Sequence, residues 1–155
     1  MTYKTITRTY LVELKPGVDL RGADLEGHDF FGHNLEGANL EGACCEKAIF
    51  EWANLEGASF REASLIETNF YIANLKDADL READLSHANL RGADLRGAYL
   101  RNANFDGADM SGADLRDTNF LNGLDEAYLK GMKVEDPYGN VYIVGKGLVE
   151  KVNGK

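Results

Sequence analysis

Three histidines and two cysteines are present, and their types could support catalysis or metal binding; His87 is at an outward position and is expected to be solvated. His28 and His33 lie five residues apart, and Cys44 and Cys45 are adjacent. A shared metal ion would need more donors than the two histidines, at a spacing typical of ligand sets. The nearby donors, none of which has that spacing, are Asp24, Asp29 and Cys44. We therefore interpret the two histidines as structural side chains. They would fill the first coil of a repetitive fold or contact a strand formed by the N-terminal residues.

No other pattern in the chain is typical of an enzyme. Lys47 is the only positive charge close in sequence to the two cysteines, so a reactive thiol is not expected. The sequence contains no nucleophile motif, no Gly-rich phosphate loop and no zinc-type spacing. Many aspartates are present, but they recur in a repeat, where such residues hydrogen-bond to turns. We predict a protein without catalytic activity, cofactor or metal.

Length and charge limit the classes of partner. The 155 residues suit one domain, and the net charge is -9. Nucleic-acid binding requires clustered Lys and Arg, so no direct nucleic-acid contact is expected. No apolar run approaches the length of a membrane span, and the N-terminus has no secretory signal pattern. We expect a cytoplasmic protein with no membrane partner and a protein partner of unknown identity. The negative charge leaves open a partner that is basic or that normally binds nucleic acid.

The chain is dominated by a repeat of five residues. Every fifth residue from 20 to 120 is apolar: these 21 positions hold 13 Leu, 6 Phe, one Cys and one Met. Ala stands two residues before the apolar centre in 16 of 21 units, and Asp or Asn stands between them in 16 of 21. The unit is therefore A-[DN]-L-x-x, continued without interruption for about a hundred residues, and it determines the fold.

A period of five excludes both a helix and a flat strand. On an α-helix the centres would drift around every side, and on a flat strand successive centres would face opposite ways. Both problems disappear if each unit is a short strand followed by a corner, which the many glycines at the last position favour. Four units then close a square coil of 20 residues, and residues 20 apart stack. One expected inward column is Phe30, Phe50, Phe70, Leu90, Met110.

These units resemble the pentapeptide repeat family over residues 18–122. The resemblance implies an all-β, right-handed quadrilateral parallel β-helix of about five coils. We expect three parts: an N-terminal capping strand (1–17), the β-helix (18–134) and a C-terminal hairpin cap with tail (135–155). The cap strand is predicted from the alternation in residues 2–14. Near its end the repeat changes phase, because the next position expected to be apolar holds Asp125. The pattern continues one residue early, with Leu124, Leu129 and Val134. A hairpin is expected from Val141–Val144 and Leu148–Val149.

Apolar residues at outward positions are the main candidates for a functional surface. The residue after each centre should point outward, and most are charged, Glu-rich early in the repeat and Arg-rich later. One side should change sign along the column Glu36, Glu56, Lys76, Arg96, Arg116, unless neighbouring opposite charges screen each other. Five apolar exceptions fall on one side of the predicted coil, and a sixth lies on the adjacent side. The five are Phe31, Ile49, Trp52, Tyr71 and Ile72, and the sixth is Ile66.

These observations predict a non-catalytic scaffold or protein-interaction module, monomeric or weakly dimeric. The apolar side is either the contact surface for a partner or is covered by a terminal segment of the same chain. The resemblance implies an alternative: some family members protect DNA gyrase from poisons by mimicking DNA, and an acidic rod could do so. The β-like tail, the absence of a projecting loop and the basic second half disfavour that alternative.

Overall fold

The repeat forms a stack of coils in which every residue lies beside the residue 20 positions further along. The computed structural model describes residues 3–6, 10–118, 133–135, 141–145 and 148–152, with side chains for residues 13–118. Parallel β-bridges join residues 20 apart, from Asp19–Asn39 to Asp94–Asp114, at every unit between. The backbone N–H of Leu75, for example, donates to the carbonyl of Asp94 at 2.7 Å. The predicted 20-residue coil is therefore present.

A tight turn separates each unit from the next. The N–H of Ala78 donates to the carbonyl of Leu75 at 3.1 Å, and the same bond recurs at other units. The second corner residue has a positive φ, +63° at Gly37 and +57° at Glu67 for example, as a type II turn requires. Four such corners per 20 residues make each coil quadrilateral. Glycine favours the conformation, but ten non-glycine residues also adopt it.

The interior is filled by the predicted apolar columns. The centres from Leu20 to Met110 are at most 2% exposed, and most of the alanines are also buried. Phe50 stacks on Phe30 and Phe70, with ring centroids 4.8 and 5.3 Å apart. Phe60 meets Phe50 and Phe70 edge-on from the opposite side of the coil, at 5.7 Å each. Offset stacked and edge-on rings are the arrangements that aromatic pairs prefer.

Outside the coils, the described residues include five short strands. They are β1 (Tyr3–Ile6), β2 (Tyr10–Glu13), β3 (Lys133–Glu135), β4 (Val141–Gly145) and β5 (Leu148–Val152). β1 pairs antiparallel with β2, in a register that joins Tyr3 to Glu13 and Ile6 to Tyr10. β4 pairs antiparallel with both β3 and β5.

These strands correct two of the sequence expectations. Residues 2–14 do not form one strand, because the chain reverses between Ile6 and Tyr10 and pairs with itself. Val134 lies in β3, paired with Tyr142, although the repeat pattern had placed it at an apolar position of the last coil. The expected hairpin is present as β4 and β5. The predicted phase shift through Leu124 and Leu129 lies outside the described residues, and both capping roles and the coil number stay predictions.

We expect Leu75→Ala to lower the free energy of unfolding by about 2–5 kcal/mol, because Leu75 is fully buried and the substitution leaves a cavity. Denaturant titration followed by far-UV circular dichroism measures this. Glu67→Gly is the control: Glu67 is an exposed corner residue at φ +57°, which glycine adopts freely, so its effect should stay within about 1 kcal/mol. An unchanged midpoint for Leu75→Ala would contradict the assignment of the core.

Candidate interaction surface

The recurring Asp and Asn side chains hold the corners of the coils through hydrogen bonds. Their Oδ1 atoms accept a hydrogen bond from the backbone N–H two residues later, as Asp29 does from Phe31 at 2.8 Å. Asn side chains also link successive coils: Nδ2 of Asn54 donates to Oδ1 of Asn34 at 3.1 Å, and Nδ2 of Asn74 to Oδ1 of Asn54 at 2.9 Å. This agrees with the interpretation of these residues as turn-stabilising side chains.

The two histidines pack against the first aromatic centre of the core. The rings of His28 and His33 are half-buried, each with its centroid 6.3 Å from that of Phe30. Their Nδ1 atoms lie 3.1 Å from the carbonyl oxygens of Glu26 and Phe31 respectively. Within the described residues, no group of three or more His, Cys, Asp or Glu side chains could hold a metal ion. Both histidine rings therefore pack against Phe30 at the start of the core.

The adjacent cysteines have different environments. Cys45 takes the place of a core leucine and is fully buried, and burial raises the pKa of its thiol to about 12. Its backbone carbonyl accepts a hydrogen bond from the Thr68 hydroxyl at 2.7 Å. Cys44 is half-buried in the position usually held by Asp or Asn. A thiol held protonated in this way is a poor nucleophile, so Cys45 is a structural residue.

Arginine–aspartate pairs are a feature that the sequence analysis missed. In each Asp-Leu-Arg triplet the guanidinium folds back onto the carboxylate two residues earlier. Arg96 donates through Nε to Oδ1 of Asp94 at 2.8 Å and through Nη2 to Oδ2 at 2.6 Å. The same two-bond geometry joins Arg21 to Asp19, Arg81 to Asp79 and Arg116 to Asp114. The recurring triplet in the sequence was the signal that could have revealed it.

These pairs neutralise much of the charge in the second half of the repeat. The side chains of Lys76, Arg96 and Arg116, which were expected to make one side basic, each contact a carboxylate. Arg91 likewise contacts Asp109 at 3.4 Å. In contrast, no ion pair within the described side chains involves Glu26, Glu36, Glu41, Glu46 or Glu51. Uncompensated charge is therefore concentrated on the first coils.

Four of the predicted surface residues lie at one corner of the stack, which we call the apolar corner: Phe31, Trp52, Tyr71 and Ile72. Phe31 and Tyr71 share one column, and Trp52 and Ile72 share the next, as the 20-residue register requires. Phe31 and Trp52 are 57% and 56% exposed, whereas Tyr71 and Ile72 are half-buried. The result is a diagonal apolar stripe across three successive coils.

The two remaining predicted residues border this corner. Ile49 lies on the flat face just before it, bridged to Asp29 and Asn69, and is half-buried. Ile66 lies at the preceding corner, where its carbonyl accepts the N–H of Lys47. Tyr99, 51% exposed, is an apolar outlier that the sequence analysis did not select, and its ring lies 5.9 Å from the Arg81 guanidinium carbon on a different face. A Tyr in an Asp/Asn position was its signal.

Two residues of the apolar corner have a backbone conformation that suits glycine. Trp52 has φ +59° and Ile72 φ +54°, and for a bulky or β-branched residue a positive φ is an outlier. The other residues in their column are glycines: Gly32, Gly92 and Gly112. Gly92 lies next to Ile72, and a Cβ built on it would stand 3.4 Å from Ile72 Cγ1. The stack therefore accepts either residue type in this column.

The repeat unit, its corners and its stacking are matched by one family. A family model described as pentapeptide repeats matches residues 17–51, 48–86 and 83–120, in eight copies. The chain belongs to the pentapeptide repeat family. The family's members form right-handed quadrilateral β-helices, in agreement with the four-cornered coils described above. Among curated proteins, no sequence matches the chain.

Solved pentapeptide repeat structures resemble the chain over most of its length. One from the thylakoid lumen of Arabidopsis thaliana is 32% identical, with a TM-score of 0.65, over 79% of this chain and 86% of its own. HetL, involved in heterocyst differentiation regulation in Nostoc sp. strain PCC 7120, is 28% identical, with a TM-score of 0.50, over 81% of this chain and 60% of its own. A trypsin-treated variant of QnrB1, a plasmid-mediated fluoroquinolone resistance protein, is 30% identical, with a TM-score of 0.41, over 64% of this chain and 58% of its own.

In the described part of the chain, no helix has the length and hydropathy to cross a membrane.

The arginine pairs predict how stability changes in acid. Hydrogen bonds from Arg96 and Arg116 hold the pKa values of the Asp94 and Asp114 carboxyls below their ordinary value. Carboxyls with a lowered folded-state pKa stabilise the protein above their unfolded value of about 3.9, and this contribution is lost as the pH falls below it. The double variant Asp94→Asn, Asp114→Asn should therefore lose less stability between neutral and acidic pH than the wild type.

Denaturant titrations at a series of pH values measure this difference. Asn keeps the Oδ1 acceptor for the corner N–H, as Asn74 shows with Lys76 at 3.2 Å, so the corners should persist. Asp106→Asn is the control, because Asp106 has no ion pair within the described residues. An acid dependence of the double variant equal to that of the wild type would show that these pairs do not contribute to stability.

Proposed function

We propose that this protein is a non-catalytic scaffold that binds another protein through the apolar corner. The observation that carries the proposal is the exposure of Phe31 and Trp52, 57% and 56%, beside the half-buried Tyr71 and Ile72. Single exposed apolar side chains are ordinary, but a contiguous group of aromatic and aliphatic side chains is typical of an interaction surface. The backbone hydrogen bonds between coils fix the spacing of these side chains before any partner binds.

Backbone conformation supports the same proposal. A strained φ/ψ costs about 1–3 kcal/mol, and the column of Trp52 and Ile72 contains glycine at three other coils. Side chains that are retained at such a cost, and that leave apolar surface exposed, are better explained by binding than by folding. The proposal competes with coverage of the apolar corner by residues 1–12 or 119–155 of the same chain, whose side chains lie outside the description.

Fluorescence of Trp52, the only tryptophan, distinguishes these two explanations. We expect acrylamide to quench it readily in the dilute monomer. Trp52→Gly and Ile72→Gly should each change the free energy of unfolding by less than about 1 kcal/mol, because relief of the positive φ offsets the loss of a partly buried side chain. Both variants should abolish retention of the partner in affinity capture from native lysate.

Tyr99→Ala is the matched control for that capture, because Tyr99 is similarly exposed but lies on another face. It should retain the same partner as the wild type. The proposal fails if Trp52 is shielded in the monomer and Trp52→Gly costs several kcal/mol, since a segment of the chain then covers the corner. It also fails if Trp52→Gly and Ile72→Gly retain the same proteins as the wild type.

A second candidate function is that of an acidic DNA mimic that binds DNA gyrase. The observation that favours it is the charge of the first coils, where five glutamates between residues 26 and 51 form no ion pair with the described side chains. Long-range attraction to a basic DNA channel would follow from such a field. The aspartates of the later coils, which are neutralised by Arg81, Arg96 and Arg116, do not extend this acidic surface along the rod.

Gyrase supercoiling assays test the second candidate. A DNA mimic should inhibit supercoiling, or protect it from a quinolone, at micromolar protein concentrations, and added salt should weaken the effect because charges are screened beyond about 8–10 Å. We expect no effect from this protein, since its acidic surface is confined to the first coils. The mimic would be favoured over the scaffold if inhibition is salt-sensitive, is lost in the double variant Glu46→Gln, Glu51→Gln, and is kept in Trp52→Gly.

A further inference from the structure

Two glutamates that form no ion pair with the described side chains lie at the apolar corner and at the corner before it. Glu51 lies in the corner itself, between Phe31 and Tyr71 in their column, and its Oε2 accepts only the neutral Asn69 amide, at 3.1 Å. Glu46, at the preceding corner of the same coil, accepts the Ser64 hydroxyl at 3.0 Å. Neither of them forms an ion pair with any described residue. The apolar stripe is therefore bordered by two carboxylates that form no ion pair with the described side chains.

Among the described side chains, residues 13–118, few cations are free to complement this charge from a second copy. Eight of the ten Lys and Arg side chains between residues 13 and 118 already contact carboxylates, and only Lys47 and Arg101 do not. Two copies would also bring together chains of net charge -9. Like charges in an interface are destabilising, so self-association through the apolar corner is disfavoured. Phosphate-bearing partners such as lipid surfaces and nucleic acids are disfavoured for the same reason.

Resting on the scaffold function proposed above, we propose that the apolar corner binds a basic protein segment that carries large apolar side chains next to Lys or Arg. Its apolar side chains pack on Phe31, Trp52 and Ile72, while its cations contact Glu46 and Glu51. Glu51 already lies among the aromatic residues, so a cation there would be partly desolvated and its ion pair stronger than one at an open surface. Charge attraction would mainly raise the association rate, and the aromatic contacts would hold the complex together.

Three short, tryptophan-free, fluorescein-labelled peptides test the partner's chemistry. The first combines Lys and Phe with Ser spacers, the second replaces Lys by Glu, and the third replaces Phe by Ser. Fluorescence anisotropy gives the affinity, and Trp52 emission reports contact at the corner. We expect only the Lys–Phe peptide to bind, to change Trp52 emission, and to bind more weakly as salt is raised.

Variants of the full chain show whether binding uses the proposed residues. Trp52→Gly should weaken binding of the Lys–Phe peptide by about tenfold or more, and Glu46→Gln with Glu51→Gln should weaken it and reduce its salt dependence. Tyr99→Ala is the control for an exposed aromatic residue on another face. Asp106→Asn is the control for charge, because Asp106 lies in the same column as Glu46, three coils further along. Both controls should bind as the wild type does.

The outcomes separate this inference from the function on which it rests. Equal or tighter binding of the Glu–Phe peptide, with the same dependence on Trp52, would overturn the basic partner but leave the scaffold function intact. The inference would also be overturned if the Lys–Phe peptide failed to bind, if Trp52→Gly left its binding unchanged, or if the Lys–Ser peptide bound equally well. Concentration-dependent dimerisation that Trp52→Gly abolishes would identify a second copy as the occupant. A Trp52 that is shielded from acrylamide in the monomer would overturn both proposals.

Discussion

The hydrogen bonds between residues 20 apart are the interaction on which the rest of this molecule depends. Because each unit bonds to the units one coil before and one coil after, the phase of the repeat determines both the inward and the outward columns. Such arrays are stabilised by contacts between neighbouring coils, so order in one coil supports order in the next. The apolar corner is consequently a property of the register, not of any local motif.

The period of five was sufficient to predict the interior, since buried positions tolerate few residue types and the chain repeats them without interruption. Phe30, Phe50 and Phe70 stack as the spacing indicated. The ends of the chain were harder to predict. Alternation identified residues 2–14 as β-structure. The sequence between Ile6 and Tyr10, however, contains no Gly or Pro that would mark the reversal from β1 to β2. Val134 could be assigned to the repeat or to a strand, and only pairing with β4 decides between them.

The candidate surface was partly visible in the sequence. Trp52 and Ile72 could be selected as candidates because they are apolar where the repeat is polar, and the 20-residue coil was enough to place them in one column. The compensation of charge was not visible, because formal charges do not show which side chains meet. Counting Lys76, Arg96 and Arg116 as basic predicted a change of sign along one side, whereas each of them is paired with a carboxylate. Uncompensated charge therefore remains near Glu46 and Glu51.

Backbone strain alone would not single out the apolar corner. Ten non-glycine residues have a positive φ, and most of them are charged residues such as Glu62 and Asp77 that a solvated corner accommodates. The corners up to Gly42 are all glycine, which indicates that the coil itself prefers glycine there. Trp52 and Ile72 differ from the other non-glycine corners because their side chains are large and apolar. Among the described corners, theirs is the one where a positive φ on a large apolar residue coincides with exposed aromatic surface and with Glu51, which forms no ion pair there. This combination is what the proposed binding surface would need.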